Sequence, residues 1–197
     1  MSEPGVVLTV GHSNHAIGYF VALLRAAGVA IVADVRSMPA SRFNPQFGGR
    51  RLAAALGEHG IGYDWLGREL GGKPEDPALS VDGVPDYRAM ARRPAFAAGL
   101  DRVEALVATG PTALLCAERD PLDCHRALLV APELARRGYA VRHILADGRL
   151  EDHDSLERRL MGAATVADEL FPPDRADRLS EAIRRRLGGG RVRRRGP

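Results

Sequence analysis

With 197 residues, 45% of them hydrophobic, the chain can bury the core of one ordinary domain, which excludes an extended disordered protein. No apolar run approaches the roughly 20 residues that cross a bilayer. The opening MSEPGVVLTV lacks the basic region and cleavage pattern of a signal peptide, so a cytoplasmic protein with no membrane partner is expected. The net charge of +3 is uneven: residues 184–197 carry seven Arg and no acid, and without them 21 basic residues face 25 acidic ones. The basicity therefore belongs to the tail, and a solvated tail with weak, non-specific attraction to nucleic acid is its default reading.

In chain order, Val6–Val10 is a short β-branched run ending at Gly11, and it reads as a buried strand. Ile17–Ala27 follows with Phe20, Leu23 and Leu24 on one helical face and Gly28 as its stop. Val29–Val35 is again apolar, completing a βαβ unit that favours a parallel sheet. Residues 36–49, RSMPASRFNPQFGG, read as a long loop. Arg50–His59 is expected to be a helix, Ile61–Leu66 a third strand, and 67–85 a second exposed excursion. Tyr87–Ala108 reads as helical with a break near Pro94. Thr112–Cys116 is the next buried strand, and Asp123 is placed to cap a helix running from Cys124 towards Gly138, in which Pro132 forces a kink or a restart. Tyr139–Leu145 is a further strand. Glu151–Leu170 and Pro173–Leu187 read as terminal helices, with the Gly188–Gly190 spacer and the last arginines disordered. The fold class implied is a single α/β domain with a mostly parallel central sheet between flanking helices, a Rossmann-like layering, extended by C-terminal helices and a basic tail.

Open α/β sheets bind ligands outside the carboxyl ends of their strands, and the residues there are unusually polar. The first strand leads into Gly11-His12-Ser13-Asn14, the second into Asp34-Val35-Arg36-Ser37, and the fourth into Cys116-Ala117-Glu118-Arg119. The most specific element is CAERDPLDCHR (116–126), where a strand feeds a turn and a helix start, a setting that favours anions. Arg126 and Arg119 add charged donors there, and the same field lowers the pKa of Cys124. Cys116 is the candidate nucleophile, and His125 or His12 the candidate acid/base. Each has a bland counterpart: Cys116 as a small core residue, Cys124 and His125 as a tight helix start, and Asp34 as a structural partner of Arg36. Arg36 and Arg42 are discounted by the Arg-rich background, Lys73 being the only Lys. Metal binding by Cys116, Cys124, His125 and His12 is a second chemical reading, but the spacing is not the short C-x₂₋₄-C of structural zinc sites. A cofactor is therefore not expected, with zinc as the alternative. A phosphatase loop would need an arginine where Leu122 stands, and Gly11-His12-Ser13 is not a dinucleotide fingerprint.

Taken together, TVGHSNH (9–15), VADVRSMPASRFNPQF (32–47), ELGG (69–72), CAERDPLDCHR and VRHILADGRLEDH (141–153) resemble the bacterial and archaeal domain of unknown function 488 family. The resemblance runs in order through about three quarters of the chain. It implies an α/β domain over 1–153; residues 154–197, read as a helical extension at 154–187 and an Arg-rich tail at 188–197, lie outside it. Its signature positions fall on His12, Ser13, Asp34, Arg36, Ser37, Cys116, Glu118, Cys124, His125 and Arg126, with Pro39, Ser41, Asn44, Phe47 and the Leu70-Gly71-Gly72 turn between them. Pro132 departs from the pattern, and the resemblance brings no settled reaction.

The expected function is an enzyme-like pocket for an anionic small molecule, of the nucleotide or nucleic-acid-component class. Arg36, Arg119 and Arg126 would hold the anion, with Ser13, Ser37, Arg42 and Cys124 around it. Asp34 or Glu118 would serve as general base, and Cys116, His125 and His12 would carry nucleophilic or acid/base work. Phe43, Phe47, Tyr63, Trp65 and Tyr87 are candidates for stacking on a base. The alternative is a non-catalytic nucleic-acid-binding or adaptor domain whose affinity lies in 184–197. The oligomeric state cannot be read from the sequence.

Overall fold

A computed structural model describes residues 5–162 and 175–192. Its centre is a six-stranded sheet of β1 (Val6–Gly11), β2 (Ile31–Asp34), β3 (Gly62–Trp65), β6 (Thr112–Cys116), β7 (Ala140–Ile144) and β8 (Leu150–Asp152). The strand order is β3-β2-β6-β1-β7-β8. All pairings are parallel except β7 with β8, so the expected mostly parallel α/β architecture is observed. The two-residue strands β4 (Ser80–Val81) and β5 (Val84–Pro85) form a separate hairpin in the second loop excursion.

The connections leave the middle of the sheet in opposite directions, and a fixed crossover hand then places their helices on opposite faces. Leu8, Val10, Val32, Ala113 and Leu115 pack with Phe20 and Leu24 of α1 (Ile17–Ala26) and Leu52 and Leu56 of α2 (Gly49–Gly57). On the other face Val7, Ala33, Val35, Leu114 and Cys116 meet Leu70 of α3 (Gly67–Leu70), Met90 of α4 (Tyr87–Ala91), Phe96, Leu100 and Val103 of α5 (Pro94–Thr109), and Leu134 of α6 (Ala131–Arg136). A third cluster joins Leu122 and Leu128 to Leu156 and Leu160 of α7 (His153–Gly162) and Ala182 of α8 (Arg175–Val192). Among the described residues no helix is long and apolar enough to cross a membrane.

Three expectations are corrected. Asp123 caps no helix. Asp120 accepts from the Leu122 N–H and opens a 3₁₀ turn at Pro121–Asp123, while Asp123 pairs with Arg186. The segment after it is one π turn, Arg126–Val130, closed by the Ala131 N–H on the Arg126 carbonyl before α6 restarts. Pro132 explains the restart: it has no N–H, and its ring would strike the carbonyl four residues back. The expected helix from Glu151 begins instead at His153, because the Asp147-Gly148 turn, with Gly148 at φ +85°, folds 150–152 back onto β7 as a hairpin. The rest of that expected helix, 163–174, lies outside the described residues. Finally, the Gly188–Gly190 spacer lies inside α8, which is anchored on the third cluster through Leu179, Ile183 and Leu187 and extends to Val192. Residues 193–197 lie outside the described residues.

Candidate active site

Register divides the strand-end residues into two groups. Asp34 stands opposite Leu115, whereas Cys116 stands opposite Gly11. Partners in a ladder share a face and neighbours along a strand alternate, so Asp34 and Cys116 project to opposite sides of the sheet.

On the α1/α2 side, Asp34 is fully buried and accepts from four groups. These are Arg36 Nε at 2.8 Å, Arg36 Nη2 at 2.5 Å, the Arg36 backbone N–H at 3.1 Å and the Tyr63 hydroxyl at 2.7 Å. Arg36 Nη1 donates to the Phe47 carbonyl at 2.9 Å and lies 3.2 Å from His12 Nε2. His12 Nδ1 is 2.7 Å from the Ser13 carbonyl. A carbonyl only accepts, so Nδ1 carries the proton and Nε2 offers its lone pair to Arg36. The His12 ring stacks on Phe47 at 4.3 Å. Burial, followed by the Arg36 charge, outweighs the Ser13 hydrogen bond and lowers the His12 pKa to about 4. Burial works against the Arg36 charge too, but Asp34 outweighs it and the guanidinium pKa is raised. Burial and the Asp34 charge likewise push the Tyr63 phenol up. Asp34, Arg36 and His12 thus spend their polar capacity on one another and on Tyr63 and Phe47. The network joins three strand ends and leaves little for a ligand.

On the other side, Cys116, Glu118, Cys124 and His125 come together. Cys116 Sγ donates to Glu118 Oε2 at 2.9 Å and lies 3.5 Å from His125 Nδ1, and Cys124 Sγ lies 4.0 Å from the same nitrogen. His125 Nε2 is 2.8 Å from the Val35 carbonyl, so it is the donor there and Nδ1 faces both sulfurs. Both cysteines are free thiols and buried. Burial, then the Cys124 contact, pushes the Cys116 thiol well up. Burial would raise Cys124 as well, but the hydrogen bond from Cys116 and the charges of Arg126 and His125 hold it well below its usual value. The two thiols are therefore driven in opposite directions, Cys116 up and Cys124 down. Burial and then the Cys124 charge raise the Glu118 carboxyl pKa. For His125 burial is outweighed by the Cys124 hydrogen bond and charge, which raise the imidazole pKa.

Arg126 closes this group from the π turn. It is completely buried. Nη1 donates to the Glu118 carbonyl at 2.9 Å, Nε has no partner, and no carboxylate lies within ion-pair distance among the described residues. Its charge is among the causes that lower the Cys124 pKa. A Cβ on Gly11 would stand 1.9 Å from the Glu118 carbonyl oxygen and 3.1 Å from Arg126 Nη2, so only glycine lets the chain pass here. Gly72 has a matching role, since a Cβ there would lie 2.4 Å from His125 Cγ.

The remaining expected site residues are placed apart. Ser13, at φ +48°, pairs its backbone N–H with the Ala117 carbonyl and has its hydroxyl on Asn14. The Ser37 hydroxyl accepts the Lys73 N–H and so holds the turn that carries Gly72. Arg42 is exposed on the 36–44 loop and belongs to neither network. Of the aromatic candidates, Phe47 and Tyr63 belong to the Asp34 network, and Trp65 donates to the Arg36 carbonyl at 2.9 Å. Phe43 is 90% exposed. Tyr87 adjoins the thiols: burial, then the charges of Cys124, Cys116 and Glu118, pushes its phenol up. The amides after β6 are not a vacant anion cradle, because Asp120 and Pro121 already accept the N–H groups of Leu122, Asp123 and Cys124.

Glu118 and Arg119 instead line an open groove of about 1840 Å³ between the 118–123 turn, the β7–β8 hairpin, α7 and α8. Arg149, Arg159, Arg185 and Arg186 on this groove each pair with a carboxylate. The exposed Arg119 guanidinium has no such partner among the described residues. Gly72, a signature position of the resemblance, had no role assigned to it, and sequence reasoning missed a buried chain under β1 and β7, where Thr9 Oγ1 meets His143 Nδ1 at 2.8 Å and His143 Nε2 meets His153 Nδ1 at 3.1 Å. The inward alternation of His143 in β7 was the available signal.

The fold and this cluster define a parallel α/β domain with a buried thiol, imidazole and carboxylate group at its strand ends. Residues 16–131, more than half of the chain, match the family described as Domain of unknown function DUF488, and the chain belongs to that family. The match contains Asp34, Arg36 and the whole thiol cluster. No curated protein and no solved structure matches.

Proposed function

We propose that the protein is an enzyme whose reactive centre is the Cys116–Cys124–His125–Glu118 cluster and whose substrate is an anion, of the nucleotide or nucleic-acid-component class, seated in the adjoining groove. The observation that carries this reading is Arg119, an unpaired cation one residue from Glu118 on a groove whose other arginines are neutralised. An exposed guanidinium next to a site is a ready donor for a phosphate or carboxylate. Glu118 touches Cys116 on one side and the groove on the other, and its pKa is raised by burial and the Cys124 charge, the direction that suits a proton-transferring carboxyl. Arg126 serves as a buried positive charge that lowers the Cys124 pKa, and Asp34, Arg36 and His12 brace the strand ends. Among the described residues the groove lining contains no aromatic ring, so the reading rests on the anion and not on stacking.

The test is a thermal-shift screen of the full chain against phosphate, sulfate, nucleosides, nucleotides and short oligonucleotides, repeated with Arg119→Ala. A ligand that binds the native state raises the melting temperature by mass action. Stabilisation by an anion class that Arg119→Ala abolishes supports the reading. Stabilisation by oligonucleotides alone, lost at higher salt and on removal of 184–197 but insensitive to Arg119→Ala, would replace it with a tail-driven binding module.

A further inference from the structure

We infer that Cys116, Cys124 and His125 hold a thiophilic divalent cation of the zinc class, with an open fourth position beside Glu118. The spacing that argued against a structural zinc motif in the sequence is resolved by the fold. Cys116 comes from the end of β6, Cys124 and His125 from the start of the π-turn segment, and their donor atoms all lie within 4.8 Å of one another. Tetrahedral zinc, with Zn–S of about 2.3 Å and Zn–N of about 2.0–2.1 Å, places sulfur and nitrogen ligands about 3.6 Å apart. The observed separations from His125 Nδ1 are 3.5 Å to Cys116 and 4.0 Å to Cys124. Both sulfur–nitrogen separations lie within a few tenths of an ångström of that value.

The surroundings of the donors agree. The His125 Nε2–H is anchored on the Val35 carbonyl, the arrangement by which metal-bound histidines fix their tautomer and aim the other nitrogen at the ion. Gly72 packs flat against the ring, and Tyr87 and the α4–α5 side of the core keep solvent from the sulfurs. Charge also balances. Two thiolates neutralise a divalent ion. Two sulfurs and an imidazole favour zinc over hard, oxygen-seeking cations. Three protein ligands are one short of a closed structural site, and three ligands plus water is the pattern of catalytic zinc. Glu118, 2.9 Å from Cys116 Sγ yet outside the three-donor set, is placed to take a proton from a water at the open position.

This inference rests on the cluster being the reactive centre, but not on the identity of the substrate. Full-length protein, reduced and stripped with chelator, is titrated with Co²⁺ under anaerobic conditions. One equivalent should produce the thiolate-to-cobalt charge-transfer band and the strong visible bands of a tetrahedral site, and Zn²⁺ should abolish both. Cys124→Ser should weaken Zn²⁺ binding at least about 100-fold, more than loss of a surrounding partner costs, and the Cys116→Ser/Cys124→Ser variant should show no cobalt bands. If the variants do not fold, X-ray absorption of the zinc-loaded wild type decides, with two sulfurs in the first shell expected. Absence of cobalt bands in the reduced wild type, their persistence in the folded double variant, or a sulfur-free shell would overturn the assignment. Arg119→Ala should keep the cobalt spectrum, so loss of anion binding and loss of metal are read separately.

Discussion

Asp34→Asn removes a charge from the centre of the α1/α2-side network while keeping its shape. Asp34 is fully buried and takes the Nε–Nη2 edge of Arg36, itself 5% exposed. With an amide in its place, Arg36 faces only uncharged acceptors, the amide oxygen, the Phe47 carbonyl and the neutral His12 ring, and a buried cation stands uncompensated. Breaking a buried pair from one side costs about 3–5 kcal/mol, a large share of the roughly 5–15 kcal/mol that holds a typical domain. At about 2–4 °C per kcal/mol for a chain of this size, the melting temperature should fall by roughly 6–20 °C. The assay is calorimetry of wild type, Asp34→Asn, Arg36→Met and the double variant. The double variant should be less destabilised than the sum of the singles, because removing both charges removes the unpaired one. A melting temperature within about 1 °C of wild type in Asp34→Asn, together with lost ligand binding, would refute the bracing role and return Asp34 to the reactive centre.

Other expectations follow from the same geometry. His12 is neutral in the fold with a pKa lowered to about 4, whereas the unfolded chain titrates near its usual value of about 6.5. Between those values the unfolded state binds the extra proton, so stability should rise with pH from about 4 to 6.5 and its His12 contribution should be flat above. The full swing is about 3 kcal/mol, read as the difference between urea-unfolding curves of wild type and His12→Gln across that window. A parallel pair of curves would contradict it. Gly72→Ala should cost about 1–3 kcal/mol by overpacking the His125 ring, visible as a lower denaturant midpoint; an unchanged midpoint would mean that the ring is not held there. Arg119→Ala should leave the midpoint within about 0.5 kcal/mol of wild type, as for an exposed side chain with no partner, and its effect should be confined to ligand binding.

The parallel strands were legible because β1, β2, β6 and β7 are short apolar β-branched runs, and the polar residues that close them are uncommon where packing alone decides. The strand-end rule chose an edge of the sheet, however, not a face. Only the register, with Asp34 level with Leu115 and Cys116 level with Gly11, separates the Asp34 network from the thiol cluster that we propose is reactive. β8 was hidden because Leu150–Asp152 is a mostly exposed edge strand with a single partner and no apolar alternation. The π turn was foreshadowed by Pro132, but a proline does not say whether the chain will kink, restart or widen. Gly72 and Ser37 gave no sign of their part in seating His125, since that contact joins residues more than fifty positions apart. The unpaired state of Arg119 depends on which carboxylates the fold delivers to its neighbours.

The central claim is that the thiol cluster and the groove next to it form one site. Its most direct test is a crystal structure of the full chain with the anion that stabilises it most in the thermal screen. The account requires the anionic group to lie on the Arg119 guanidinium with the rest of the ligand against Glu118, on the Cys116 side of the sheet. Density on the Asp34–Arg36 side, or along α8 away from Glu118, would contradict it.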